Sequence, residues 1–461
     1  MSLFFFDYTD YYWKQDLCWG SVEGNKLNIT EFEVLKLKKK IWLWNHYATD
    51  MYKNKGGRHY WFAENLINKE YEATVFCANT YHNNSEFIDT GRKKYATENL
   101  NGIPFVFVKT STALGNGLDR VKNMGLFYWN LFSVAKAFEK ENGKPDVIVA
   151  SSVHPLTMVA GIQIAKKMNV PCICEIRDLW PEAIFSFNKA KENSILGKIL
   201  VTGEHWIYKK ADALIFTKEG DTDYIKEKKW DIKQGGDIKL DKAHYINNGV
   251  DVEAFNKSVN EKVIKDEDLE SGKFNVVYVG AIRPVNNVGN ILDAAKLLKG
   301  DKDIQFLIYG DGIQKEMLEK RVVDEGLDNV KIKGFVNKQY IPYILSKSSV
   351  NILNYSQTQY NWARGNSSNK LFEYMASGKP IISTVKMGYS IIEKYKCGME
   401  LENSTPEELV KAIVDIKKMP EHEYRLLGTN AKSGAKDFDY TVLTQKLINV
   451  IDTVMEENKN D

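Results

Sequence analysis

Short apolar runs alternate along this chain with longer stretches whose apolar positions recur every three to four residues. Residues 41–44 (IWLW) predict a first strand, prefaced by the basic run Lys38–Lys40 and ending in Asn45-His46-Tyr47. A loop with Gly56 and Gly57 follows, then a helix from 58 to 66. Glycines there let the chain turn closely between strand and helix. Residues 73–78 and 105–108 read as strands separated by an irregular polar stretch, 121–140 as a helix, and 146–152 as a buried strand with a polar carboxyl end. His154-Pro155 opens a helix to 168. Strands at 170–175 and 213–217 flank a helix at 199–210, and 244–251 closes this half of the chain. The charged, aperiodic segment 256–273 reads as a linker, after which the alternation restarts. Strands are expected at 274–280, 304–309, 330–334, 350–353 and 380–383, with helices at 289–299, 314–325, 341–347 and 370–376. Two more helices, 407–416 and 440–456, form the tail.

Alternation of this kind predicts α/β architecture, with mostly parallel sheets covered on both faces. Its restart predicts two Rossmann-like lobes of similar size, 38–255 and 274–430, around the linker 256–273. An extension over 1–37 precedes them and a last helix over 431–461 follows.

Composition narrows the partners. The 461 residues are 43% apolar and 27% charged, and 63 basic against 61 acidic side chains leave a formal charge of +2. That balance excludes a polybasic nucleic-acid wrapper. Five cysteines without a CxxC argue against a disulfide scaffold or a structural zinc site and for a reducing compartment. No apolar run approaches the roughly 20 residues that span a bilayer. The stretch MGLFYWNLFSV at 124–134 reads either as a buried helix or as a surface-seeking one. The opening MSLFFFDYTDYYW does not read as a signal peptide. A cytoplasmic chain is expected, with peripheral contact at the inner membrane face, through 127–132 and Lys122, as one option.

In parallel sheets the strand carboxyl ends and the helix amino ends share a crevice, where free amides bind anions. Asn366-Ser367-Ser368-Asn369-Lys370 stands directly before an apolar helix. Its amides suit a diphosphate and Lys370 adds a charge there; the same residues also read as an ordinary capped helix with a solvated lysine. Glu373 reads equally as a capping-box acid or as an acceptor for a ribose diol. Arg283, after the strand ending at Gly280, is a planar fork for phosphate or a surface arginine. Gly310-Asp311-Gly312 is a tight turn at a strand end, more often structural than ligand-binding. No Walker A motif and no dinucleotide glycine fingerprint is present. Arg177 and Asp178 lie where the chain leaves a buried strand, as a loop anchor or as groups facing a substrate. His154 sits similarly one strand earlier, and His46 and His59 are weaker candidates for moving a proton.

Taken in order, IRDLWPE at 176–182, YINNGVD at 245–251, VGAIRPVNN at 279–287, IYGDG at 308–312, VKIKGFV at 330–336 and NSSNKLFEYMASGKPII at 366–382 carry a resemblance. The chain resembles the retaining, nucleotide-sugar-dependent glycosyltransferases of the GT-B superfamily, family 4-like. Within these it is most similar to the bacterial cell-surface polysaccharide branch. The resemblance implies a GT-B fold, with acceptor in the first lobe, nucleotide sugar in the second and the carboxyl-terminal helix returning to the first. It implies that Glu373 binds the ribose and that the backbone of Gly334, Phe335 and Val336 receives the base. Arg283 and Lys370 would face the diphosphate, with the amides near Asn366, Ser367 and Ser368 on phosphate and sugar. Gly56 and Gly57 would form the close-approach loop of the first lobe, Gly310 would be among the residues binding the nucleotide sugar, and His154 and Asp178 would face sugar or acceptor. No metal is expected. The donor would be a nucleotide sugar, UDP-linked by preference, and the acceptor a glycan or a polyprenyl-linked intermediate.

Two departures stand out. Relatives carry an E-x7-E pair, but the position eight before Glu373 is Gly365, so Asn361, Arg364 or Asn366 would take over sugar recognition. Asn286-Asn287 stands where a lysine often accompanies the arginine, and Lys370 would compensate. The alternatives are an epimerase or phosphorylase on the same fold, or a non-catalytic nucleotide-sugar-binding subunit.

Overall fold

Apolar strands bury both faces, and the centre of the first lobe's sheet is built on mostly apolar ones. Its strands are β1 (Lys40–Trp44), β2 (Glu72–Ala78), β3 (Tyr95–Leu100), β4 (Ile103–Val108), β5 (Val147–Ser151), β6 (Cys172–Ile176), β7 (Ala213–Phe216) and β8 (Ala243–Tyr245). They run in the order β3-β4-β2-β1-β5-β6-β7-β8, parallel except for the β3–β4 pair. The second lobe carries β9 (Phe274–Val279), β10 (Ile304–Tyr309), β11 (Val330–Gly334), β12 (Val350–Leu353), β13 (Ile381–Ser383) and β14 (Gly398–Glu400). Their order is β11-β10-β9-β12-β13-β14, all parallel. The computed structural model describes residues 38–82, 84–115, 117–152, 154–186, 191–357 and 362–460. The extension 1–37 and Asn361 lie outside them.

Two α/β lobes are therefore present, as the alternation predicts. Several elements differ from expectation for local reasons. β3 (YATENL) lies in the stretch read as irregular; it is an antiparallel edge strand, mostly exposed, so it needs no apolar run. After β6 the chain enters a helix, Trp180–Ser186, that the alternation does not predict, with Pro181 in its first turn, where its missing N–H costs nothing. The segment read as linker begins inside a helix, Val252–Glu261, capped by Asp251 accepting from the Ala254 amide. Its remainder is docked: Leu269 is buried, and Asp266 pairs with Lys333 at 2.7 Å and accepts from the Tyr309 hydroxyl at 2.7 Å. A further helix, Glu421–Asp437, was not read from the sequence.

One buried apolar cluster runs from Leu43, Phe62 and Leu66 of the first lobe to Leu371 and Phe372 of the second and on to Tyr440 and Leu447. The last helix, Tyr440–Asn460, packs on the helix Arg58–Asn68, with the rings of Phe62 and Tyr440 5.6 Å apart and Lys39 paired to Asp452. Polar contacts also cross between the lobes. Arg364 reaches Glu182 at 3.3 Å and Glu227 at 2.7 Å, and its carbonyl accepts from the Gly220 amide. Asn247 and Asn248 donate to the carbonyls of Asn366 and Ser367 at 2.9 and 2.6 Å. No helix among the described residues is long and apolar enough to cross a membrane.

Candidate functional site

The cleft is organised by the helix Asn369–Ser377. Its N-cap residue Ser368 is extended, but no side chain caps the first turn; the Ser368 amide is itself taken by Asn366 Oδ1 at 2.7 Å. The expected serine cap is thus absent, which leaves the helix start to whatever enters the cleft. Lys370, in that first turn, is not solvated. Its Nζ is fully enclosed without a hydrogen-bond acceptor, over the rings of Tyr355 at 4.4 Å and Tyr278 at 4.9 Å. Burial pushes its ammonium down to about 7. A lysine held this way costs free energy in the empty protein, and an anion arriving beside it would relieve that cost.

Two cavities meet at this helix. One, of about 320 Å³, has Arg177, Asp178 and Lys218 on its first-lobe wall and Asn366, Ser367 and Ser368 opposite. The other, of about 410 Å³, is lined by Gly56, Gly57 and Trp61 on one side and by Lys338 and Glu373 on the other. Asn369 lines both. Glu373 lies past the capping-box position and pairs with Lys338 at 3.5 Å, facing the second cavity. Gly57 has φ +115°, a conformation that favours glycine at this turn. Asp178 is exposed and accepts from Lys218 Nζ at 3.3 Å. Arg283 is exposed at the end of β9, where its charge acts both on Tyr278 and on His82 across the cleft.

Other expected residues are placed differently. His154 does not face the cleft. It is fully buried, with Nε2 2.7 Å from His46 Nδ1 and its ring against Phe127, and burial pushes it down to about 3. Arg364 is spent on the two glutamates of the first lobe and so is not free to read a sugar. Of the proposed base-binding residues only Phe335 is exposed; the Gly334 carbonyl accepts from the Gly310 amide at 2.8 Å and Val336 packs on the core. Gly310 serves packing: a Cβ there would lie 1.8 Å from the Gly280 carbonyl oxygen. Gly310→Ala is expected to destabilise the fold by about 3 kcal/mol or more. Urea unfolding measures it, and an unchanged midpoint would return Gly310 to a ligand role.

Lys218, Tyr278 and Tyr355 were not read from the sequence. Lys218 had a signal, since it follows a buried strand's carboxyl end as Arg177 does. The tyrosines had none, being a strand residue and a loop residue that matter only through Lys370. Among the described residues no group of three or more His, Cys, Asp or Glu side chains could hold a metal ion.

Two lobes with parallel sheets, facing across a cleft at a helix amino terminus, define a GT-B protein. A family model described as "Glycosyl transferase 4-like domain" matches residues 58–234, and "Glycosyl transferases group 1" matches 259–433. The chain has the GT-B fold, and each of its lobes is similar to a glycosyltransferase model of the 4-like or group 1 type. It is 26% identical over 246 residues to "Putative teichuronic acid biosynthesis glycosyltransferase TuaH" of Bacillus subtilis (strain 168), covering 52% of this chain and 57% of that protein. It is 25% identical over 178 residues to the alpha-D-kanosaminyltransferase of Streptomyces kanamyceticus, 38% of this chain and 44% of the relative. The chain therefore spans about half the length of these relatives. Among solved structures, HepE of Anabaena in complex with UDP aligns with a TM-score of 0.61 and 14% identity, over 90% of this chain and all of HepE. The sucrose-phosphate synthase of Thermosynechococcus elongatus aligns with 0.66 and 15%, over 91% of this chain and all of that one. These two show the fold.

Proposed function

We propose that this chain is a retaining glycosyltransferase. It moves a hexosyl or N-acetylhexosaminyl unit from a nucleotide diphosphate sugar, UDP-linked by preference, to a hydroxyl of a glycan or lipid-linked acceptor in surface polysaccharide synthesis. The observation that carries the reading is Lys370: a buried ammonium with no acceptor, in the first turn of an uncapped helix whose Asn369 lines both cavities. The complex of HepE with UDP and the names of the transferases it resembles favour the same substrate class.

The diphosphate lies at the first turn, held by its amides, Lys370 and Arg283. The nucleoside extends past Glu373, which accepts from the ribose diol, toward Gly56 and Gly57. The sugar points into the cavity of Asp178 and Asn366. The bond from the anomeric carbon to the diphosphate breaks as the bond to the acceptor oxygen forms on the same face. The acceptor proton passes to the departing phosphate, so no protein nucleophile is needed. Charge grows on that phosphate in the transition state, so these donors act most strongly there. Of the segment 127–132 expected to meet a membrane, Phe127 and Leu131 are buried in the core and Trp129 is exposed; with Leu118, Val121 and Lys122 on the same helix it leaves a smaller surface for shallow contact with an anionic membrane.

The experiment is a screen of nucleotide sugars with mass-balanced product analysis, repeated with Glu373→Ala. Loss of a ribose hydrogen bond to a carboxylate is expected to weaken UDP binding about tenfold or more. Calorimetry reads it, and unchanged UDP affinity in folded Glu373→Ala would remove Glu373 from the site. Donor binding without turnover over a broad acceptor panel would favour the non-catalytic reading.

A further inference from the structure

Donors unused by a diphosphate collect on the first-lobe wall of the smaller cavity. Arg177 follows β6 with its backbone pinned: its amide donates to Ser152 Oγ at 3.0 Å and its carbonyl accepts from Thr217 Oγ1 at 2.9 Å. Its Nε is enclosed and has no acceptor. The two neighbouring carboxylates are engaged elsewhere, Glu175 with Arg58, His59 and Ser151, and Asp178 with Lys218. Lys218 lines the same cavity with only 6% of its side chain exposed, while its partner Asp178 is 60% exposed. Opposite stands Asn366, nine-tenths buried, whose Oδ1 is taken by the Ser368 amide and whose Nδ2 has no acceptor. The wall thus presents the Arg177 guanidinium and the Asn366 side-chain amide, each with an enclosed donor lacking an acceptor, beside the Lys218–Asp178 pair. Enclosed donors without acceptors are costly, and a planar guanidinium matches a carboxylate or phosphate with two parallel bonds.

We propose that Arg177, Lys218 and Asn366 form a second anion subsite, which takes a carboxylate or phosphate group carried by the transferred sugar or by the acceptor. The proposal rests on the nucleotide-sugar reading of the cleft. It makes Arg177 a determinant of which sugar or acceptor is used, separate from the residues that hold the leaving diphosphate. Asp178 holds Lys218 at the outer edge of the subsite, where water screens its own charge.

Calorimetry on the folded full-length chain tests it. UDP is titrated first; failure of wild type to bind UDP overturns the nucleotide reading, whatever the wall does. The donor arm compares UDP-glucuronate with UDP-glucose. The acceptor arm compares glucose 6-phosphate with glucose on UDP-saturated protein. In at least one arm the acidic probe is expected to bind about tenfold or more tighter than its neutral twin, the scale of a hydrogen bond to a charged group. That margin should collapse in Arg177→Gln and return in part in Arg177→Lys, which keeps the charge and loses the fork. A purely structural arginine would weaken both twins alike and leave the ratio unchanged. The arm that shows the margin identifies whether sugar or acceptor bears the acid. Equal affinity of the twins in both arms overturns the subsite, as does a margin that survives both Arg177→Gln and Lys218→Met. If Arg177→Gln does not fold by near-UV circular dichroism, Lys218→Met carries the comparison.

Discussion

Lys370→Met is expected to make the protein more stable and to remove its UDP binding. Burial lowers the Lys370 ammonium from 10.5 to about 7, with no acidic partner to offset it. The rings of Tyr278 from β9 and Tyr355 after β12 enclose it, and the charge of Arg283 acts on Tyr278. Between about 7 and 10.5 the unfolded chain holds a proton that the folded, empty protein does not, so stability rises with pH across that window. At pH 7 the cost is about 4 kcal/mol, which methionine abolishes while keeping the length of the chain and its contact with two rings. An anion in the cleft restores the charged form. Above pH 7, UDP binding therefore takes up a proton, and affinity weakens by up to about tenfold per pH unit. The β-phosphate of UDP titrates nearby, so Lys370→Arg, whose guanidinium stays charged, is the control: its affinity should follow UDP alone. Calorimetry in buffers of different ionisation enthalpy counts the proton directly. Equal stability of Lys370→Met and wild type, with UDP affinity retained, would show that the lysine neither strains the fold nor meets the nucleotide.

What the chain revealed of itself follows from which interactions are local. β1, β5, β7, β10 and β12 are buried along nearly their whole length and show as short, mostly apolar runs, broken only by Gln305 in β10 and Asn351 in β12. β3 and the three-residue β14 have no such run, because one is a half-wet edge and the other is too short to show a period. The helix in whose first turn Lys370 stands was legible from its residues, and its place beside an anion site from the strand-helix order. The burial of Lys370 was not legible, since the rings enclosing it come from β9 and from a loop beyond β12. His154 looked like a cleft residue because it follows a strand's carboxyl end. Its ring turns down onto His46 instead, a partner 108 residues away. Arg364 looked like a substitute for the missing glutamate at Gly365, and the charges that claim it are Glu182 and Glu227 in the other lobe. Position along strands and helices is written in local pattern; pairing of charges across a cleft is not.

Arg58→Ala is expected to cost about 3–5 kcal/mol of stability, the range for a buried pair that loses one partner. Arg58 and Glu175 are both essentially inaccessible, with Arg58 Nε 2.7 Å from Glu175 Oε1. The other carboxylate oxygen accepts from Ser151 Oγ at 2.6 Å and lies 3.1 Å from His59 Nε2. Burial alone would raise the Glu175 carboxyl; Arg58 and then His59 more than offset this and hold it well below the usual carboxylate range. Its contribution is therefore present above the unfolded value, 4.5, and is lost as pH falls through the folded one. Without Arg58 the acid is buried and unpaired and takes a proton at a higher pH, so the gap between variant and wild type should be widest near neutrality and narrow toward pH 4. Arg58 also donates to the carbonyls of Ile246 and Asn247, in the turn whose Asn247 and Asn248 side chains hold Asn366 and Ser367 across the cleft. Its loss should thus weaken UDP binding at temperatures where the variant is still folded, although Arg58 lines neither cavity. Replacing both partners, Arg58→Met with Glu175→Leu, removes the orphaned charge and should cost less than Arg58→Ala alone. Urea titrations of the three proteins at neutral and acid pH measure this, and a single variant as stable as wild type at pH 7 would show that the ion pair does not secure the floor of the site.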